Sequence, residues 1–232
     1  KKTTKGDVKG IAISAVKSES ATFQILPFVW QTGGDLNDYA TSGATALAYL
    51  RGLIDDGSMS EAVSNYTQED ARTQFITGKS AMMINGPWEL ATLTKDAQFD
   101  WDVAPLPKDK RAATSMGGEN VVVMNGAKQS DAAVKLAKFL TSAEGAKIYC
   151  DGSGQLSSRP DLQGKLKLSN DAKLKVFESQ LADAHARAYG KDYPKISEAI
   201  QLSMQEALTG ASTPEAAAKK AADTINPLLP KN

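Results

Sequence analysis

Apolar residues along this chain follow two rhythms, short unbroken runs and helical i, i+3, i+4 spacings, and each predicts an element. The runs are Ile11-Ala12-Ile13 in KGIAIS, Ala81-Met82-Met83-Ile84 in SAMMIN, the stretch FDWDVAPLP closed by Pro105 and Pro107, and residues 121–124, VVVM. All four predict short buried strands. Between them lie helical patterns. Residues 19–31, ESATFQILPFVWQ, have apolar positions at helical spacing, with Pro27 expected to kink or end the helix. SGATALAYLRGLIDDG places Leu47, Leu50 and Ile54 on one face, with Gly57 as its stop. TQEDARTQFITGK begins at an N-capping Thr67 and stops at Gly78.

PWELATLTKDA and residues 131–140, with Ala133, Leu136, Ala137 and Leu140 on one face, predict two more helices. Thr141 and Glu144 have capping-box spacing for a further one. DGSGQLSSRPDLQG reads as a loop, and three helices follow from residue 170. Ile196, Ile200 and Met204 line the second of these, which ends at Gly210; the third has Pro214 at N1 and Ser212/Glu215 at capping-box spacing. Short strands alternating with helices predict an α/β fold whose sheet is covered on both faces.

Composition narrows the functional classes. Lys plus Arg and Asp plus Glu balance at 27 each, so no basic field points to nucleic acid. The single cysteine, Cys150, excludes an internal disulfide framework and a cysteine-based zinc site. The single histidine, His185, lies in LADAHARAYG, a helical-looking stretch, and reads as a surface or helix-packing residue. Any Ser-His or Cys-His catalytic site would depend on that one imidazole, and no nucleophile stands near it in sequence. Glu89, Asp100 and Asp102 are the available carboxylates for a glycosidase-type pair, but the two aspartates flank Trp101 as the outward side of a strand. The glycine-rich turns match neither phosphate-loop spacing. Neither a metal site nor a cofactor is implied.

One motif points to binding. In INGPWEL a strand ends at Ile84, Gly86 permits a tight turn, and Pro87 starts a helix that carries Trp88 near the strand's carboxyl edge, where open α/β sheets hold ligands. An isolated Trp there is more often core. PFVWQTGG, however, puts Trp30 beside another glycine turn, and SMGGEN adds the backbone amides of Gly117 and Gly118 and the carboxylate of Glu119. Two exposed-looking indoles with convergent polar groups describe a small-molecule cleft, and an indole face suits the apolar face of a sugar ring. Burying about 60 Å² of that face gives roughly 1.5 kcal/mol.

FITGKSAMMINGPWEL closely resembles the hallmark of extracellular solute-binding proteins of ABC importers, in the sugar-binding, maltose-binding-protein-like group. LPFVWQTGGDL, VAPLP, GGENVVVMNGAKQSDAAVKLAKFLTSAEGAKIY and YPKISEAIQLSMQEALTGASTPEAAAKKAADTINPLL resemble its later landmarks, in the same order. The resemblance implies a two-lobed α/β architecture of the type II periplasmic-binding-protein kind, closing on a sugar or oligosaccharide without catalysis. The expected partners are that ligand and the importer's membrane subunits. The expected location is the periplasm or the cell exterior, as a lipid-anchored protein in a Gram-positive source. Other solutes of the same group are a polyol, a glycerol phosphodiester or a peptide.

Carried over residue by residue, Trp88 is a sugar-stacking aromatic, Phe23 matches another aromatic, and Trp30 lies one or two helical turns further on. Gly117, Gly118 and Glu119 form a cleft-facing turn, and Arg159 sits in a cleft-side loop. Family members carry a long N-terminal stretch and a secretion signal before the position where this sequence starts. The chain is therefore expected to hold most of the second lobe, 1–107 and about 168–232, with 108–167 as an excursion belonging to the first. Residues 121–124 and the helix at 131–140 would then present an apolar face that self-association could cover.

Overall fold

A computed structural model describes residues 2–230 of the chain. In chain order the helices and strands are α1 (Glu19–Gln31), α2 (Tyr39–Asp55), α3 (Gln68–Ile76), α4 (Leu90–Asp96), β1 (Thr114–Met116), α5 (Ser130–Leu140), α6 (Ala143–Ser153), α7 (Ala172–Gln180), β2 (Ala184–Ala186), α8 (Tyr193–Leu208) and α9 (Pro214–Ile225). The chain divides into two units, one of residues 1–85, 106–116 and 182–232, the other of 86–105 and 117–181. The chain returns to the first unit at 106–116, which carries β1, and again at 182, just before β2.

The first unit is built on a small parallel core of extended chain. Lys9 bridges to Ser80 and Ala12 to Met83 on one side, and Ile11 bridges to Met59 on the other. The Ala12 N–H donates to the Met82 carbonyl at 2.9 Å, and the Ile84 N–H donates back to the Ala12 carbonyl at 3.1 Å. The side chain of buried Gln24 ties the two ends together: its Oε1 accepts the Ser14 N–H at 3.0 Å and its Nε2 donates to the Ile84 carbonyl at 3.1 Å. These pairings stop at single bridges. The regular ladder among the described residues is the two-stranded parallel pair β1–β2, with Ser115 opposite His185. The sheet is thus smaller than the apolar runs suggest.

Helices enclose this core. The predicted face of α8 is buried at Ile196, Ile200 and Met204, each worth about 1.5–3 kcal/mol on removal from water. On α9 the buried stripe is Ala217, Ala218, Ala221, Ala222 and Ile225, small side chains that let it pack closely on α2 and α8. Thr67 and Asp70 form the reciprocal cap of α3, with the Asp70 N–H donating to Thr67 Oγ1 at 3.1 Å and the Thr67 N–H to Asp70 Oδ2 at 2.9 Å. Two other caps fall one residue later than predicted. Ser142, not Thr141, caps α6 by accepting the Gly145 N–H at 3.1 Å, and Thr213, not Ser212, caps α9 by accepting the Ala216 N–H at 3.2 Å.

In the second unit, buried apolar side chains are Leu90 and Leu93 of α4, Cys150 of α6, Leu162 and Leu174. The runs at 101–105 and 121–124 are not strands. A parallel strand needs a distant neighbour to take its hydrogen bonds, and neither segment has one among the described residues.

Candidate functional site

The residues singled out in the sequence are distributed over both units. In the second unit Gly86 has extended backbone and Pro87 opens a single 3-10 turn, Pro87–Glu89, that runs directly into α4. Trp88 is half-buried, and its six-membered ring lies across Gly86. A Cβ on Gly86 would fall 2.1 Å from Trp88 Cη2 and 2.2 Å from Cζ3, so only glycine allows the indole to fold back over its own turn. The end of α6 supports this turn from below: a Cβ on Gly154 would stand 3.1 Å from the Pro87 carbonyl oxygen. Glu89 is 2% exposed, whereas Asp100 and Asp102 are exposed.

Gly117, Gly118 and Glu119 lie on an exposed loop after β1. Beside them stands Tyr149, whose phenol is held above its ordinary range first by desolvation and then by the Glu119 carboxylate. Arg159 is committed elsewhere in the same unit. Its Nε and Nη2 donate to the two oxygens of Asp161, both at 3.0 Å, and its Nη1 donates to the Thr141 carbonyl at 2.8 Å. That fork holds the Asp161 carboxyl below the usual range and caps the end of α5.

In the first unit Trp30 corrects the expectation of an exposed indole. It is 0% exposed, its Nε1 donating to Asp35 Oδ1 at 3.1 Å and to the Tyr189 hydroxyl at 3.0 Å. His185 stacks on it with ring centroids 4.8 Å apart, so the histidine packs from β2 rather than from a helix. A Trp beside a glycine turn is here a core residue.

Phe23 is half-buried on α1, and the Arg187 guanidinium sits 4.7 Å above its ring centroid. Arg187 is the residue that sequence reasoning missed. Its Nε donates to Glu19 Oε1 and to the Tyr193 hydroxyl, each at 2.9 Å, and its Nη1 donates to the Met116 carbonyl at 3.1 Å. The Tyr193 hydroxyl also donates to Glu19 Oε1, and the Ser197 hydroxyl to Glu19 Oε2 at 2.5 Å. One arginine thus joins the start of α1, the end of β1 and the start of α8 around an aromatic face. No local signal marks it, since its carboxylate partner is 168 positions away.

Short parallel extended segments wrapped by helices, with Trp88 at the exit of one of them, give a mixed α/β fold. The family model for bacterial extracellular solute-binding proteins matches residues 1–176, and the chain belongs to that family. An ABC transporter solute-binding protein from Thermotoga lettingae, solved with alpha-D-tagatose, is 31% identical at a TM-score of 0.84, over 97% of this chain and 60% of that one. Maltose-bound MalE3 from T. maritima is 28% identical at a TM-score of 0.84, over 96% and 61%. A putative binding protein of Brucella abortus is 26% identical over 88% of this chain and 52% of its own length. The chain therefore spans about half the length of the curated relatives it matches in this way.

Proposed function

We propose that this chain is part of the carbohydrate-binding component of an ABC importer, and that Trp88 and Phe23 are its stacking aromatics. The observation that carries the reading is the half-buried Trp88 indole, folded over Gly86 at the exit of an extended segment. Solved relatives with 28% and 31% identity hold maltose and tagatose, which supports a sugar as the ligand class. The Gly117-Gly118 amides and the Glu119 carboxylate supply hydroxyl-binding groups, and Arg187 orients Phe23. Arg159 and Trp30 are left out of the stacking set, the first because Asp161 and Thr141 hold its guanidinium, the second because it has no exposed surface.

The whole protein would close two lobes about its ligand and then deliver it to the importer's membrane subunits outside the cytoplasm. The ligand surfaces carried here are only a share of the whole, so affinity of this chain alone should be weak. The function is binding without turnover.

The test is intrinsic Trp fluorescence and calorimetry against a carbohydrate panel including maltose and tagatose, with the Trp88→Ala variant as control. The panel is run on this chain and on a form extended to the full length of its relatives. A saturable response lost in W88A is expected. Silence from both forms would end the sugar assignment.

A further inference from the structure

Arg187 stands where the extended segments of the first unit end. It directly follows β2, and its Nη1 donates to the carbonyl of Met116, the last residue of β1. Gln24, next to Phe23 on α1, joins the ends of two more segments at Ser14 and Ile84. Open α/β folds place their ligands at the carboxyl ends of such parallel segments. Glu19, Tyr193 and Met116 fix the guanidinium through Nε and Nη1, and Phe23 lies under it. Nη2 takes no part: among the described residues it donates to nothing. It is not a buried orphan either, since the one buried side-chain polar atom without a partner among those residues is Thr4 Oγ1. Nη2 therefore offers its two N–H groups to solvent.

We infer that Arg187 is itself a ligand-contacting residue, whose Nη2 donates to a neutral hydroxyl of the solute held beside Phe23. The assignment rests on the carbohydrate reading and adds to it a contact that sets which sugar is preferred. Two features select a hydroxyl over an anionic group. The Arg187 charge is already matched by the Glu19 carboxylate, so the pair presents a directed donor without net charge. Glu19 keeps 48% of its side chain exposed beside it, an acceptor for a second hydroxyl's proton. A guanidinium pinned from three elements also loses little freedom when it engages a ligand.

The test uses the form extended to the full length of its relatives. Calorimetry compares the parent, Arg187→Met and Arg187→Lys on the tighter-bound of maltose and tagatose and on the monodeoxy analogues of that sugar. Methionine keeps an apolar stem over Phe23 but has no donor, and lysine keeps a charge without the second amino group. In either variant Glu19 retains the Tyr193 and Ser197 hydroxyls, so parent-like circular dichroism and cooperative melting are expected. The parent should bind one analogue about tenfold or more weakly, the one lacking the contacted hydroxyl. R187M should bind the complete sugar about tenfold more weakly, and that one analogue no worse than the complete sugar. R187K should lose the same discrimination. Weakening by an equal factor across every analogue would reduce Arg187 to a positioning residue of Phe23 and overturn the inference, as would unchanged affinity in R187M. A parent that binds neither sugar would instead remove the carbohydrate reading, and this contact with it.

Discussion

Ser115 Oγ donates a hydrogen bond of 2.8 Å to the main-chain carbonyl of Phe23, four residues before Pro27. In a regular helix that carbonyl would accept the N–H of residue 27, which proline lacks. α1 therefore runs through its proline without ending, because a residue of β1 supplies the donor that the helix cannot. The same bond fixes β1 against the helix that carries Phe23. Ser115→Ala should cost about 1–2 kcal/mol by leaving a part-buried carbonyl short of a donor. Pro27→Ala restores an N–H in place, so the serine substitution should cost less in the P27A background. Urea denaturation of the four proteins of this cycle measures the coupling, and additive effects would contradict the account.

The Gly86–Trp88 turn makes a second prediction by contrast. A Cβ on Gly86 overlaps the indole, whereas a Cβ on Gly118 meets nothing within 4 Å. Gly86→Ala must displace the ring or move the start of α4, at a cost of about 1–3 kcal/mol. Gly118→Ala should stay within about 0.5 kcal/mol. Trp emission should shift in G86A and not in G118A. Equal behaviour of the two variants would mean that the indole does not hold its place over the turn.

What was legible in the sequence was what neighbours in sequence decide. The buried face of α8, the Thr67 cap and the stop of α2 all rest on residues within a few positions of one another, where helical periodicity and capping chemistry are sufficient. The caps at Ser142 and Thr213 were missed by one residue. Thr141 Oγ1 already turns back to the Ala137 carbonyl at 2.9 Å, and Pro214 at N1 leaves the preceding Thr213 as cap. Strands were harder. The apolar run at 121–124 and the Ala-rich stretch around His185 exchanged expectations, because β2 pairs with β1 some seventy positions away while 121–124 has no such neighbour among the described residues. The turn at Gly86-Pro87-Trp88 was legible as one continuous motif, whereas the Arg187 cluster was not, because its partners Glu19, Met116 and Tyr193 converge only in the folded chain.

Tyr193 gives a pH dependence with a definite sign. Its phenol is pushed up to about 12, first by desolvation and then by its hydrogen bond to Glu19. Tyr39 and Tyr189 are also held above the ordinary phenol range, in both cases mainly by burial. The folded state thus binds the phenolic protons more tightly than the unfolded state does. The stability this contributes is complete below the unfolded value near 10 and is lost as pH rises from about 10 to about 12. Urea midpoints taken at pH 8, 10 and 11 should fall only above 10. Tyr193→Phe should reduce the slope of that alkaline loss while losing some stability at pH 8, because Arg187 and Glu19 each lose a partner. An alkaline slope unchanged by Y193F would assign the effect to the other tyrosines.

Trp30 and Trp88 should respond to removal in opposite ways, and this separates scaffold from ligand surface. Trp30 has no exposed area, stacks on His185 and donates to both Asp35 and Tyr189. Trp30→Ala would open a cavity in the core and remove one of three donors to Asp35 Oδ1, the Tyr189 hydroxyl and the Leu36 N–H remaining, at a cost of about 3–5 kcal/mol. At the usual stability of a domain, that is enough to populate the unfolded state. Trp88 is only half-buried, so W88A should cost less, about 1–2 kcal/mol by the area it still covers. Its effect should instead fall on sugar binding, where one stacked face of roughly 1.5 kcal/mol corresponds to about a tenfold loss of affinity. Trp30→Phe keeps most of the packing and should bind sugar as the parent does. Thermal melts and sugar titrations on W30F and W88A therefore give two independent readings. If W30F loses binding while remaining folded and W88A does not, the assignment of stacking to Trp88 fails.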